Sequence, residues 1–387
     1  MNANSSLFAQ ILRLVPHNAF ASAVRHTSAE RHSKGFSSWD QFVAMLYCQL
    51  AHCRSLGEIH DGMRATCGKL NHLGMQRAPA KSTLAYANAH RPWQLYESLF
   101  YQLLADCHTA SPGKKSKFRF KNKLFSLDAT VIDLCLSLFP WASYRQTKGA
   151  VKLHLLLDHD GYLPVFADLT NGSQHEIDIA WQLQLPKGSI VAMDRGYVDY
   201  HLFHTWTQQG VFFVTRAKSN MAYRIVEDRA IPEHRNIVSD QIIRFTAYEA
   251  KQHCPGELRR IVVWDPIGER NIVLLTNHLE FGSTTIAAIY KDRWEIELFF
   301  KTLKQNLKIK TFVGTTPCAL RTQIWTALIA MLLLKLMAFR SRSSLHFSRL
   351  IALMRTNLFS YRDLWAWLSN PFAVPPTPPP RQEKLAF

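Results

Sequence analysis

VKLHLLLDHDGYLPVFADLT, residues 151–170, reads as two apolar runs, 151–158 and 162–170, either side of His159-Asp160-Gly161. An Asp-Gly pair between two such runs is a hairpin turn signal. Upstream, NKLFSLDAT (122–130) is a third short apolar run, ending at Asp128. Downstream the pattern alternates: EIDIAWQLQL (176–185) as helix, SIVAMDRGY (189–197) as a buried run ending at Asp194, YHLFHTWTQQ (200–209) as helix, VFFVTRAK (211–218) as strand. Asp199 stands where a cap for the 200–209 helix belongs. Three strands in a meander, then alternating helix and strand, predict an α/β fold: a mixed sheet with helices on its faces.

Outward from this centre the patterns differ. AYRIVE, QIIRFTAY, LRRIVVW and NIVLLTN, within 219–280, read as an inserted β subdomain. A long helix follows over roughly 284–309. Residues 1–110 read as helical. Ser38, with Gln41 three residues on, reads as an N-cap opening FVAMLYCQLAHC; SLGEIHDGM, Lys81–Arg91 and PWQLYESLFYQLLADC follow. Short helices with tight turns fit a helix-turn-helix DNA reader and equally a plain bundle. Apolar helix 324–339 comes late in the chain, and PFAVPPTPPPRQEKLAF closes it as a Pro-rich tail.

Charge narrows the partners. The 387 residues carry 46 Lys and Arg against 29 Asp and Glu, a net charge of +17. Residues 1–123 hold 16 basic and 6 acidic side chains, 124–310 hold 21 of each, and 311–387 hold 9 and 2. A neutral centre between basic flanks reads as a module using carboxylates for chemistry, held on a polyanion. The linker SPGKKSKFRFKNK (111–123) is either a solvated hinge or a strap along phosphates. The N-terminus is a poor secretory signal, and Ile324–Phe339, interrupted by Lys335, falls short of the roughly 20 residues of a membrane span. Seven Cys without framework spacing argue against a disulfide scaffold, and Cys48, His52, Cys53 and Cys67 lack the paired spacing of a zinc site. Together these place the chain in a reducing cytoplasm, without a membrane.

Asp128 and Asp194 each end a run of four mostly apolar residues. Carboxylates at the ends of neighbouring strands can converge on a cation, although an Asp there also serves as a cap or turn residue. A two-metal site, with ions roughly 3.5–4 Å apart, wants a third acid on a facing element. On the 284–309 helix, Tyr290, Arg293, Glu297, Lys301, Lys304 and Lys308 share one face by spacing, and Ile289, Ile296, Phe300, Leu303 and Leu307 form an apolar stripe beside it. Glu297 among a Tyr and several cations suits a metal ligand beside DNA phosphates; a solvated face with Arg293–Glu297 and Glu297–Lys301 pairs accounts for the same spacing.

Tyr290, Arg293, Glu297 and Lys304 fall in the order Y-x2-R-x3-E-x6-K, which resembles the signature of bacterial DDE transposases of the IS-four family. SLDATVIDL around Asp128 and AMDRGY around Asp194 resemble that family's first-Asp and second-Asp regions, and FSSWDQFVAMLYCQLAHCRSLGEI its accessory N-terminal region. The resemblance covers most of the chain and is weakest over the last 70 residues. It implies an RNase H-like core, 119–218, interrupted by a β-rich insertion, 219–280, and resumed by the helix of the third acid, 281–316, between a DNA-binding helical region, 1–118, and a helical C-terminal region, 317–387. Asp128, Asp194 and Glu297 would be the catalytic triad, holding two Mg2+ ions for which Mn2+ can substitute. Tyr290, Arg293 and Lys304 would contact double-stranded DNA at the terminal inverted repeats, with Lys301, Lys308 and Arg195 adding phosphate contacts, in a homodimer acting on the nucleoid.

Other residues read more plainly. Glu295 is rotated off the Glu297 face. Asp158 and Asp160 belong to the hairpin turn, and His154, His159 and His175 lack partners as ligands. Trp264, in the insertion, reads first as a packed Trp and second as one that stacks on a flipped base, as in family relatives. Two rivals stay open: a metal-dependent nuclease on the same core that does not transpose, and an inert DNA-binding protein derived from it.

Overall fold

A computed structural model of the chain describes residues 5–31, 33–66, 68–111, 117–145, 148–307, 309, 311–341, 345 and 347–373. Lys308, Cys67, most of the Pro-rich tail and residues 112–116 of the basic linker lie outside them. Six helices come first: α1 Leu7–Leu12, α2 His17–Thr27, α3 Ser38–Ala51, α4 Leu56–Arg64, α5 Lys81–His90 and α6 Gln94–Ala110. The cap of α3 is Ser37, not Ser38: its hydroxyl accepts from the Asp40 N–H, and the Asp40 carboxylate accepts from the Ser37 N–H in return. The acid at the third helical position is what closes the box.

The central chain then builds β1 Leu124–Leu134, β2 Ser143–Arg145, β3 Lys148–Asp158, β4 Leu163–Asn171, α7 Glu176–Ala180, β5 Ile190–Met193, α8 Tyr200–Gln208 and β6 Phe212–Arg216. β1, β3 and β4 form an antiparallel meander, and β5 and β6 run parallel to β1 on its other side. The order β4-β3-β1-β5-β6 is the RNase H-like arrangement. Alternation along β5 explains why both faces are covered: Val191 and Met193 join the cluster under α8, while Ile190 and Ala192 join the opposite one. Asp199 caps α8 as its position predicts, accepting from the Leu202 N–H at 2.7 Å. The 176–185 helix is shorter than its pattern predicts. After Ala180 the chain tightens, Gln182 and Leu183 bonding three residues back, ahead of Pro186.

The next strands are β7 Tyr223–Asp228, β8 Ile237–Phe245, β9 Leu258–Asp265 and β10 Arg270–Thr276, with α9 Tyr248–His253 between β8 and β9. They do not fold apart. β10 pairs with β6, and β9, β8 and β7 follow outward, so one sheet of ten strands runs through core and insertion. A buried Arg259–Asp240 pair at 2.6 Å ties β9 to β8, and Arg259 also donates to the Phe281 carbonyl just before the next helix.

Where one long helix is expected there are two, α10 Ser283–Asp292 and α11 Trp294–Asn306. The chain stays helical in direction at Arg293, but the Arg293 and Ile296 N–H groups bond three residues back rather than four. α12 Pro317–Arg340, α13 Phe347–Asn357 and α14 Leu364–Ser369 follow among the described residues. α12 is long and apolar enough to cross a membrane by length and composition, yet 83% of its most apolar window is buried in the protein. It packs on α3, α5 and α6 and shares a cluster with Leu153, Leu155 and Leu157 of β3 and with Ile296 and Phe300 of α11. The helical N-terminal region thus shares one core with the face of the sheet that carries Ile132, Leu153 and Leu155.

Candidate active site

The position of the two Asp residues follows from strand register. On the parallel pair β1 and β5, Leu127 stands opposite Met193, so Asp128 and Asp194 take the next equivalent places. Asp128 does not end its strand: β1 continues to Leu134 because alternation persists (Val131 exposed, Ile132 buried) and β3 keeps pairing with it after β5 has stopped. Asp194 does follow the last residue of β5. The apolar stripe of α11 is buried as its spacing predicts, with Ile296 and Leu303 fully enclosed. That packing turns Glu297 toward β1.

Arg293 joins the carboxylates. Its Nη1 donates to Asp128 Oδ2 at 2.8 Å and its Nη2 to Glu297 Oε1 at 2.9 Å. The guanidinium is buried, and the rings of Tyr290 and Trp294 stand 5.5 and 5.8 Å from it. Burial pushes the Asp128 carboxyl up to about 6; Arg293 and the Ala129 N–H oppose this, while Glu297 and Asp194 add to it. For Arg293, burial would lower the pKa, and Asp128, Tyr290, Glu297 and Asp194 together raise it instead. All three acids therefore act on one cationic position. Among the described residues no three His, Cys, Asp or Glu side chains stand close enough to ligate one ion. The donors are nonetheless hard carboxylate oxygens, partly buried and mutually repelling, which is the chemistry a hard divalent cation satisfies.

The other expected residues divide. Tyr290 is buried beside Arg293, and Lys304 donates from Nζ to the Val131 carbonyl at 3.0 Å. Lys301 and Arg195 are exposed. Glu295 lines a neighbouring cleft of about 930 Å3 with Trp264, Trp294, Tyr290, Arg235 and Lys291. Trp264 is 41% exposed there, so it is not a packed core residue. One cluster escapes sequence reading. His159 links Ser126 to Asp292, each at 2.7 Å, although nothing in the spacing of residues 126, 159 and 292 marks them as partners.

Residues 119–333, more than half of the chain, match the family described as Transposase DDE domain. The chain belongs to the DDE transposases. Residues 3–76 match a second family, a domain of unknown function (DUF4372). A Sinorhizobium fredii protein named as transposase y4zB is 31% identical over 78% of this chain and 83% of its own length. A Geobacillus stearothermophilus protein named as a transposase of insertion sequence element IS5377 is 27% identical, covering 66% of each chain. A solved structure of piggyBac transposase in a synaptic complex with hairpin DNA has a TM-score of 0.49 and 10% identity, over 95% of this chain and 82% of that one. As a DDE transposase the protein is an enzyme of DNA strand cleavage and transfer, and DDE transposases use divalent metal ions.

Proposed function

We propose that this DDE transposase mobilises an insertion sequence, cutting at the element's terminal inverted repeats and joining the freed 3′ ends to target DNA. The observation that carries the site assignment is the Arg293 bridge between Asp128 and Glu297, beside an Asp194 held in register with Asp128. Asp128, Asp194 and Glu297 are the catalytic carboxylates and would hold two Mg2+ ions, with Mn2+ able to substitute. Metal held by these side chains would supply activation of a water or 3′-OH and neutralisation of charge on the phosphate under attack. The protein's own part is mostly placement: it fixes the carboxylates and holds the DNA in line.

Exposed Arg195 and Lys301 contact phosphates, and Lys304 and Lys308 extend that track. Tyr290 and Arg293 reach the DNA from the floor of the site. The order Y-x2-R-x3-E-x6-K supports placing the chain in the IS-four branch. The helical region 1–118 reads the element ends, and a homodimer brings the two ends together in the cytoplasm, on the nucleoid. The test is a joining assay with pre-cut element ends and a target plasmid. Covalent end-to-target products support transposition. Nicking of the ends with no joined product would instead support a nuclease.

A further inference from the structure

Asp292 and Arg293 are neighbours at the break between α10 and α11, and each reaches β1 by a different route. Arg293 grips Asp128 directly. Asp292 reaches Ser126, two residues earlier on the same face of β1, through His159. The link is enclosed: Ser126 is 0% exposed, and the side chains of His159 and Asp292 are 8% and 2% exposed. An ionised Asp292 only accepts, so Nδ1 of His159 carries the proton given to it, and in the neutral ring Nε2 then accepts the Ser126 hydroxyl. Tyr162 donates to the same Asp292 oxygen at 3.4 Å, and Lys117 pairs with the other. Burial alone would raise the Asp292 carboxyl; His159 and Lys117 outweigh it and hold it below the ordinary range. Serine, histidine and aspartate in this order look like a nucleophile set, but no substrate can touch a hydroxyl buried this completely.

The surroundings brace the link. Lys123 binds Asp158 at 3.2 Å and Asp160 at 2.5 Å, fixing the hairpin that carries His159. Phe118, Phe120 and Phe281 stack at successive 4.9 Å centroid distances and pack on the cluster that holds Ile286 and Ile289 of α10.

We propose that Asp292 and His159 are positioning residues for the transposase reaction: they clamp the α10–α11 break to β1 and so set the separation of Asp128 and Glu297. The inference rests on the catalytic reading of those two carboxylates. Residues that orient metal-binding groups typically carry a 10–100-fold effect on metal affinity. A displacement of about 1 Å at the reacting atoms costs on the order of 10²-fold in rate.

The experiment compares full-length wild type, Asp292→Asn, His159→Phe and Glu297→Gln. Mn2+ binding is read from loss of the free-ion EPR signal, DNA affinity from anisotropy at fixed salt, folding from circular dichroism, and cleavage at saturating DNA. The inference expects Mn2+ affinity at least about 10-fold weaker and cleavage about 10²-fold slower in the first two variants, with DNA affinity unchanged. If His159→Phe does not fold, Asp292→Asn decides. Mn2+ affinity within twofold of wild type in folded Asp292→Asn, with Glu297→Gln defective, would overturn this inference alone. So would a parallel loss of Mn2+ and DNA affinity, which marks general support of the fold. Normal Mn2+ binding and cleavage in Glu297→Gln would bring down the carboxylate assignment itself.

Discussion

Arg293 spans Asp128 and Glu297 from a buried position, so its removal leaves two carboxylates facing each other without a counter-charge. Breaking such a pair typically costs roughly 3–5 kcal/mol. We expect Arg293→Ala to lower the urea unfolding free energy of the metal-free protein by about that amount, and a loss under ~1 kcal/mol would mean that the bridge contributes little. His154 allows a pH test. It is fully buried on β3, its Nε2 pairs with Thr170 at 2.8 Å, and burial pushes its pKa down to about 4, with Lys152 adding to the shift. A His held neutral in the fold binds fewer protons than in the unfolded chain, so its contribution is present above pH ~6.5 and lost as pH falls toward 4. Asp128, raised from 3.8 to about 6, has the opposite sign: the fold gains from it as pH falls through that window. We expect His154→Leu to remove the first slope, so that the stability difference between variant and wild type changes by roughly 3 kcal/mol between pH 7 and pH 4. Parallel pH curves for the two proteins would contradict it. Asp128, Asp194 and Glu297 were legible as one set only through the family resemblance, since spacing alone equally fits a cap or turn at each Asp and a solvated face at Glu297. The Ser126–His159–Asp292 link was not, because it joins three elements that only the folded sheet brings together.

At the scale of elements, alternation in the chain carried the meander, the parallel strands and the insertion strands. It failed where tertiary partners override local pattern. The helix periodicity across 284–309 runs unbroken, yet the backbone tightens at Arg293, where Asp292 and Arg293 are drawn into separate buried contacts with the β1 side of the molecule. Likewise nothing in β10 itself reveals that its partner is β6, which joins the insertion to the core sheet. α12 tests the balance between core and membrane readings. Leu332 is fully buried in the cluster shared with β3 and α11. Leu332→Ala should cost about 2–5 kcal/mol of unfolding free energy in aqueous buffer. An unchanged stability, with the protein partitioning into membranes, would contradict the core reading.

Across the whole molecule, charge is segregated: basic flanks surround a balanced centre, and the net charge is +17. DNA affinity should therefore fall steeply with salt. For six or more phosphate contacts the slope of log K against log salt would be about −5 or steeper, and a slope near −1 would contradict a flank-driven grip. The central claim is that three carboxylates on a single RNase H-like sheet and its facing helix cut DNA with divalent metal. The most direct measurement is nicking of DNA carrying the element's own ends, with Mg2+ and with EDTA, by wild type and Glu297→Gln. We predict nicks at the end boundary with Mg2+ only, lost by at least about 10³-fold in Glu297→Gln while end binding persists. Equal cutting by the variant, or end binding without cutting in any divalent metal by folded wild type, would contradict the account.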